Sequence, residues 1–160
     1  MKPFCVLLSI LVVLLNGCAP SNRPAGLPPL HPCTVTVTQN GTPLADVSVQ
    51  LISKETEAWP TTGVTDASGN AVIVTYGRFH GTPVGEYTVV LSKTESVSTG
   101  GQSGEETNSG TTEIFSLIAV EYTKAETSKL RMTVSVGKNA QSFDIGAPVR
   151  VLVDTIKPGT

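Results

Sequence analysis

Residues Cys33 to Thr38 read CTVTVT, and that strict alternation constrains the fold more than any other stretch of the chain. Successive side chains of an extended strand point to opposite faces. Cys33, Val35 and Val37 therefore share one face and the intervening threonines the other, which predicts a strand with one side in a core. The pattern returns in Val47, Val49 and Leu51, in Ala71, Ile73 and Thr75, and in Tyr87, Val89 and Leu91 after the entry Gly85-Glu86. Turn-forming residues stand between these runs. Asn40-Gly41-Thr42-Pro43 offers two residues tolerant of positive φ and a proline exit. In Thr65-Asp66-Ala67-Ser68-Gly69, Asp66 can accept backbone N–H groups across the corner and Gly69 can take the left-handed conformation, so both are read as structural turn residues. Asp66 with Asn70 supplies too few oxygens for calcium, and no metal or cofactor is expected.

Downstream the pattern is interrupted once. Residues 93–112 contain SVSTGGQSGEETNSGTT, which has no apolar period and is read as a flexible insertion. Residues 113–122 (EIFSLIAVEY) fit either a buried strand or an edge crossing, and periodicity does not decide between them. Leu130, Met132, Val134 and Val136 alternate with polar residues, Gly137-Lys138-Asn139 turns, and Phe143 and Ile145 return, which predicts a hairpin. Residues 147–154 offer one more edge strand. Thr, Val, Ser and Gly dominate the composition, so the expectation is an all-β domain over residues 33–155. Its architecture is read as a two-sheet β-sandwich of about seven to eight strands.

The N-terminus carries a different kind of information. Lys2 precedes an apolar run of twelve residues, Phe4 to Leu15, too short to cross about 30 Å of hydrocarbon and of the form of a cleavable signal, residues 1–17. Leu15-Asn16-Gly17-Cys18 resembles the bacterial lipobox, in which the cysteine takes diacylglycerol and becomes the mature N-terminus. Cys18 is thus the expected lipidation site, with two or three acyl chains holding the protein on a membrane. An ordinary signal peptide ending in an incidental cysteine is the competing reading. Ala19 after the cysteine, in place of Asp, favours the outer membrane if the host has two. Residues 19–32 contain five prolines and complete a stalk, 18–32, in which His31 is read as solvated. With Cys18 lipidated and Cys5 removed, Cys33 has no disulfide partner and is read as a buried thiol.

Charged residues make up 15% of the chain and the formal net charge is -2, so the basic face demanded by nucleic acid is lacking. The candidate ligand contacts are aromatic and local. Trp59 is either an exposed platform for a sugar or peptide or a lid on the core. Tyr76, Arg78, Phe79 and His80 gather in one loop, either to contact a partner or to pack down on the domain.

Three motifs then carry a family resemblance: Asn-Gly-Thr-Pro-Leu-Ala-Asp-Val at 40–47, Thr-Asp-Ala-Ser-Gly at 65–69 and Pro-Val-Gly-Glu-Tyr-Thr-Val at 83–89. Together they resemble carboxypeptidase-regulatory-like, transthyretin/prealbumin-like domains, in particular those of small lipoproteins of planctomycete-type bacteria. The resemblance implies a Greek-key sandwich and no catalytic residue, since the matched motifs form turns and core. A lipid-anchored, exported cell-envelope module follows, non-catalytic, serving to bind a protein or glycan or to build the envelope. The alternative is an accessory domain of an envelope enzyme or an enzyme of the transthyretin-like hydrolase kind. That chemistry would need clustered His and Arg and a tyrosine-containing C-terminal tetrapeptide, whereas this chain has two His and ends Lys-Pro-Gly-Thr. A self-crosslinking adhesin would need a lysine on the first strand, where CTVTVT has none.

Overall fold

The computed structural model describes residues 23–55, 59–99 and 111–156. The expected signal, Cys18 and the start of the expected stalk lie outside the described residues. The fold is all-β, with thirteen strands in three sheets among the described residues and one short 3-10 turn, Val120–Tyr122.

Strand β1 (Cys33–Gln39) organises the first sheet. One edge pairs in parallel with β12 (Asn139–Asp144), and the other pairs antiparallel with β2 (Thr42–Pro43) and β5 (Asn70–Val72). The second sheet runs β11 (Arg131–Val134), β8 (Gly85–Ser92), β3 (Ser48–Ser53), β4 (Thr61–Val64), β6 (Val74–Thr75) and β7 (Phe79–His80), antiparallel throughout. Residues 70–75 belong to both sheets. Asn70–Val72 pairs with β1, Val74–Thr75 pairs with β4, and Ile73 lies fully buried between, its N–H donating to the Cys33 carbonyl at 2.9 Å.

Alternation does what the sequence asks of it. Val35 and Val37 of the first sheet and Val49, Leu51, Val89 and Leu91 of the second enter one core cluster, together with Ile118 and Phe143. Each such side chain contributes about 1.5–3 kcal/mol on burial. The corner at Asp66 is closed by its carboxylate, which accepts the Ser68 N–H at 2.8 Å and the Asn70 N–H at 3.0 Å. Gly69 sits at φ +75, and a Cβ there would lie 2.6 Å from the Val37 carbonyl oxygen.

The strand count exceeds the seven or eight expected because several strands are short pieces of two or three residues, and because the span 93–112 is not wholly an insertion. Its ends form β9 (Thr94–Thr99) and β10 (Thr111–Ser116), which pair with each other and, through β10, with β13 (Val151–Ile156) in a third sheet. Residues 100–110 lie outside the described residues. Val, Thr and Ser suit extended backbone even without an apolar face, and the ladder satisfies their N–H and C=O groups. Every residue of β13 is exposed. Residues 113–122 divide between the end of β10, a buried Ile118 and the 3-10 turn.

The hairpin expected across residues 130–145 does not form. β11 joins the second sheet beside β8 while β12 joins the first beside β1, so the turn at Gly137 carries the chain from one sheet to the other. Asn139 fastens that turn with its side chain, accepting the Ser135 N–H at 2.9 Å and donating to the Ser135 carbonyl at 2.9 Å. The last part of the stalk is also docked on the domain. Leu27 is buried, and His31 exchanges two backbone hydrogen bonds of 2.9 Å with Thr82 while its Nδ1 accepts the Gly137 N–H at 3.1 Å. His31 is therefore a structural acceptor.

Candidate functional site

Trp59 and Tyr76 lie just beyond the same end of a strand pair. β4 begins at Thr61 and β6 ends at Thr75, and these two residues face each other in antiparallel register. The residues just outside, Trp59-Pro60 and Tyr76, are therefore delivered to the same end of the sheet. The Tyr76 N–H donates to the Pro60 carbonyl at 2.8 Å, and the Thr61 hydroxyl donates to the Trp59 carbonyl at 2.8 Å. The rings meet edge to face, with centroids 5.5 Å apart and planes at 69°. That geometry satisfies the aromatic quadrupoles. Tyr76 reaches it at φ +54, followed by Gly77 at φ +67. A tyrosine in the left-handed region is uncommon and costs free energy unless its surroundings demand it.

Trp59 forms a wall shared by two clefts. The larger, about 290 Å³, is lined by Ser53, Glu55, Trp59, Pro83, Val84 and Tyr87, with Gly26 and Pro28 from the docked N-terminal segment. The smaller, about 200 Å³, lies over Gln50 to Ser53, Pro60 and Thr61. Register explains why Tyr87 is there: Ser53 of β3 stands opposite Tyr87 of β8. The Tyr87 hydroxyl donates to the Pro83 carbonyl at 2.9 Å. Desolvation, followed by the negative charge of Glu55, pushes the Tyr87 phenol up to about 12. Glu55 is the one charged residue on the wall of this cleft among the described residues.

Two of the other loop residues read as ligand contacts pair with each other. The Arg78 guanidinium lies over the Phe79 ring, 4.8 Å from its centroid, a cation–π contact. His80 is exposed on β7 and stands opposite Val74 in the ladder. The residues that sequence reading missed are Glu55 and Tyr87. Tyr87 was legible only as an inward position of a strand, and Glu55 belongs to a polar run without pattern.

Cys33 lies in the core. Its sulfur is 3.8 Å from the Met132 sulfur. The Thr82 hydroxyl, wholly buried, has no nitrogen or oxygen partner among the described residues, and the thiol is the group beside it. Burial pushes the Cys33 thiol above its ordinary value, and the Thr82 contact lowers it by less. Among the described residues no three His, Cys, Asp or Glu side chains gather as metal ligands would. No protein-family model, curated protein or solved structure matches the chain.

Proposed function

We propose that the protein is an exported, lipid-anchored module of the cell envelope that captures a ligand rather than turning one over. The observation that carries this reading is the Trp59–Tyr76 corner: two rings braced edge to face at one end of a rigid sheet, with Trp59 walling two clefts at once. An amphipathic ring held in place presents contact area at little entropic cost. A tyrosine kept at positive φ to complete the corner points the same way, since strain of that kind persists where the surroundings enforce it.

Anchoring through acyl chains on Cys18, with the outer membrane favoured, is part of the proposal, as is a Greek-key sandwich of the transthyretin-like, carboxypeptidase-regulatory-like kind. Support for the anchor is the order of Lys2, the apolar run and the lipobox-like Leu15-Asn16-Gly17-Cys18. Support for the finer fold is the succession of motifs at 40–47, 65–69 and 83–89 together with the all-β architecture. The ligand is a peptide or glycan of the envelope.

Two measurements test the reading. Radiolabelled palmitate should enter the wild-type chain in a bacterial host and fail to enter Cys18→Ser. Full-length protein in detergent should bind purified envelope glycan or envelope peptide, and Trp59→Ala should lose at least tenfold in affinity, the loss expected of a central aromatic anchor. Equal binding by wild type and Trp59→Ala sinks the proposal.

A further inference from the structure

We propose that the larger cleft beside Trp59 is selective for a cationic ammonium group, so that the captured ligand carries a quaternary or protonated amine. This rests on the reading of Trp59 as a binding wall and deepens it.

The walls supply the two things an alkylammonium ion needs. Trp59, half-buried, offers an aromatic ring whose negative face attracts a cation, the buried Tyr87 ring backs the cleft, and Glu55 offers a carboxylate on it. The charge of Glu55 is close enough to the Tyr87 phenol to raise it, so the carboxylate and the ring share one electrostatic environment. The remaining lining is Gly26, Pro28, Pro83 and Val84, apolar or small, together with Ser53.

The Tyr87 hydroxyl is engaged by the Pro83 carbonyl, to which it donates, and the Ser53 hydroxyl accepts the Glu55 N–H at 3.0 Å. Basic side chains near in sequence are engaged too. Lys54 pairs with Glu86 at 2.8 Å, and the Arg23 guanidinium donates to the Leu27 carbonyl at 3.2 Å and to the Pro28 carbonyl. No basic side chain lines the cleft among the described residues, which leaves the Glu55 charge for a ligand. A trimethylammonium group asks for no hydrogen bond and is held by the ring and the carboxylate charge alone.

Trp59 is the one tryptophan of the chain, so its emission reports on this cleft directly. Full-length protein in detergent is titrated with choline, with Nα-acetyl-lysine methylamide and with 3,3-dimethylbutan-1-ol, the uncharged isostere of choline. Saturable quenching by either amine is expected, with the isostere about tenfold weaker or silent. A response to the lysine derivative at least equal to that to choline is expected of a peptide ligand, and a response to choline alone assigns the amine to a lipid headgroup instead. Glu55→Gln, an exposed position whose change should leave the circular dichroism spectrum intact, is expected to weaken the amines about tenfold and leave the isostere unchanged.

Equal binding of choline and its isostere, or amine binding indifferent to Glu55→Gln, overturns the cation proposal while Trp59-dependent capture stands. Silence toward both amines, with Trp59-dependent binding of a neutral envelope glycan intact, does the same. Loss of all Trp59-dependent binding overturns both.

Discussion

The Asp144 carboxylate accepts the Gly41 N–H at 2.6 Å across 103 residues of sequence. It also accepts from the N–H groups of Asn40 at 3.2 Å and Gly146 at 2.9 Å and from the Thr38 hydroxyl at 3.1 Å. One side chain thus closes the β1–β2 turn and the exit of β12 together. Asn40 at φ +47 and Gly41 at φ +76 hold their amides in position for it.

Those bonds give a pH signature. The Gly146 amide, then the Gly41 amide, then Thr38 and Asn40 hold the Asp144 carboxyl below its ordinary value of 3.8. A carboxyl whose folded value is depressed stabilises the fold above its unfolded value, and that contribution is lost as pH falls through the folded value. Asp144→Asn should therefore unfold at lower urea than wild type at pH 7, and the gap should narrow below the ordinary carboxylate range. A gap of the same size at pH 7 and pH 2 would falsify the carboxylate's role.

Gly69 and Gly137 make a paired test. Both have positive φ, +75 and +105, but a Cβ at Gly69 meets the Val37 carbonyl oxygen at 2.6 Å while one at Gly137 meets nothing within 4 Å. Gly137→Ala should cost about 1 kcal/mol from backbone strain alone. Gly69→Ala should cost about 3 kcal/mol or more, because the obstructing atom is backbone and the corner must move. Equal urea midpoints for the two variants would mean that the corner yields freely.

Cys33 and Tyr87 set the alkaline limit. The thiol lies above its ordinary 9.0 and the phenol is raised from 10.0 to about 12, each chiefly by burial. A raised folded value contributes stability that is present below the unfolded value and lost as pH rises through the folded one. Stability should fall progressively from about pH 9 upward. In a chain carrying Cys5→Ser and Cys18→Ser, Cys33 should resist a thiol reagent at pH 8 until denaturant opens the core. Rapid labelling of the native chain would show the thiol accessible.

Tyr76 separates stability from binding. Tyr76→Asn relieves about 1 kcal/mol of left-handed strain, because Asn tolerates that region, and forfeits about 1 kcal/mol of edge-to-face contact with Trp59. The urea midpoint should hardly change, while the emission of Trp59 shifts to the red as the ring loses its brace. A loss beyond about 2 kcal/mol would assign Tyr76 a packing role instead.

Much of the body was legible because period two is a strong signal. Val35 and Val37, Val49 and Leu51, and Val89 and Leu91 all lie inward as their alternation requires. Alternation does not say which sheet a strand joins, since the first two sheets share one core cluster, and so β11 and β12 read as a hairpin when they belong to different sheets. β9 is exposed apart from a half-buried Val97, and backbone pairing rather than side-chain pattern holds it, so a polar stretch gave no warning of a strand. The aromatic corner was legible as ingredients only. Nothing in the residue types foretells that Tyr76 adopts φ +54 and donates its N–H to Pro60, the two facts that bring it to Trp59.

The parallel pairing of Cys33–Gln39 with Asn139–Asp144 bears on how the molecule comes into being. The opening strand of the body waits for a neighbour made almost last, and contacts so remote in sequence slow the search for the native state. A polypeptide threaded through a narrow translocation channel from its amino end, as proposed for this one, would reach the far side still pliable. It would lock only after residue 144 had cleared the pore, so timing of release, rather than an added unfolding factor, would keep the chain competent for passage.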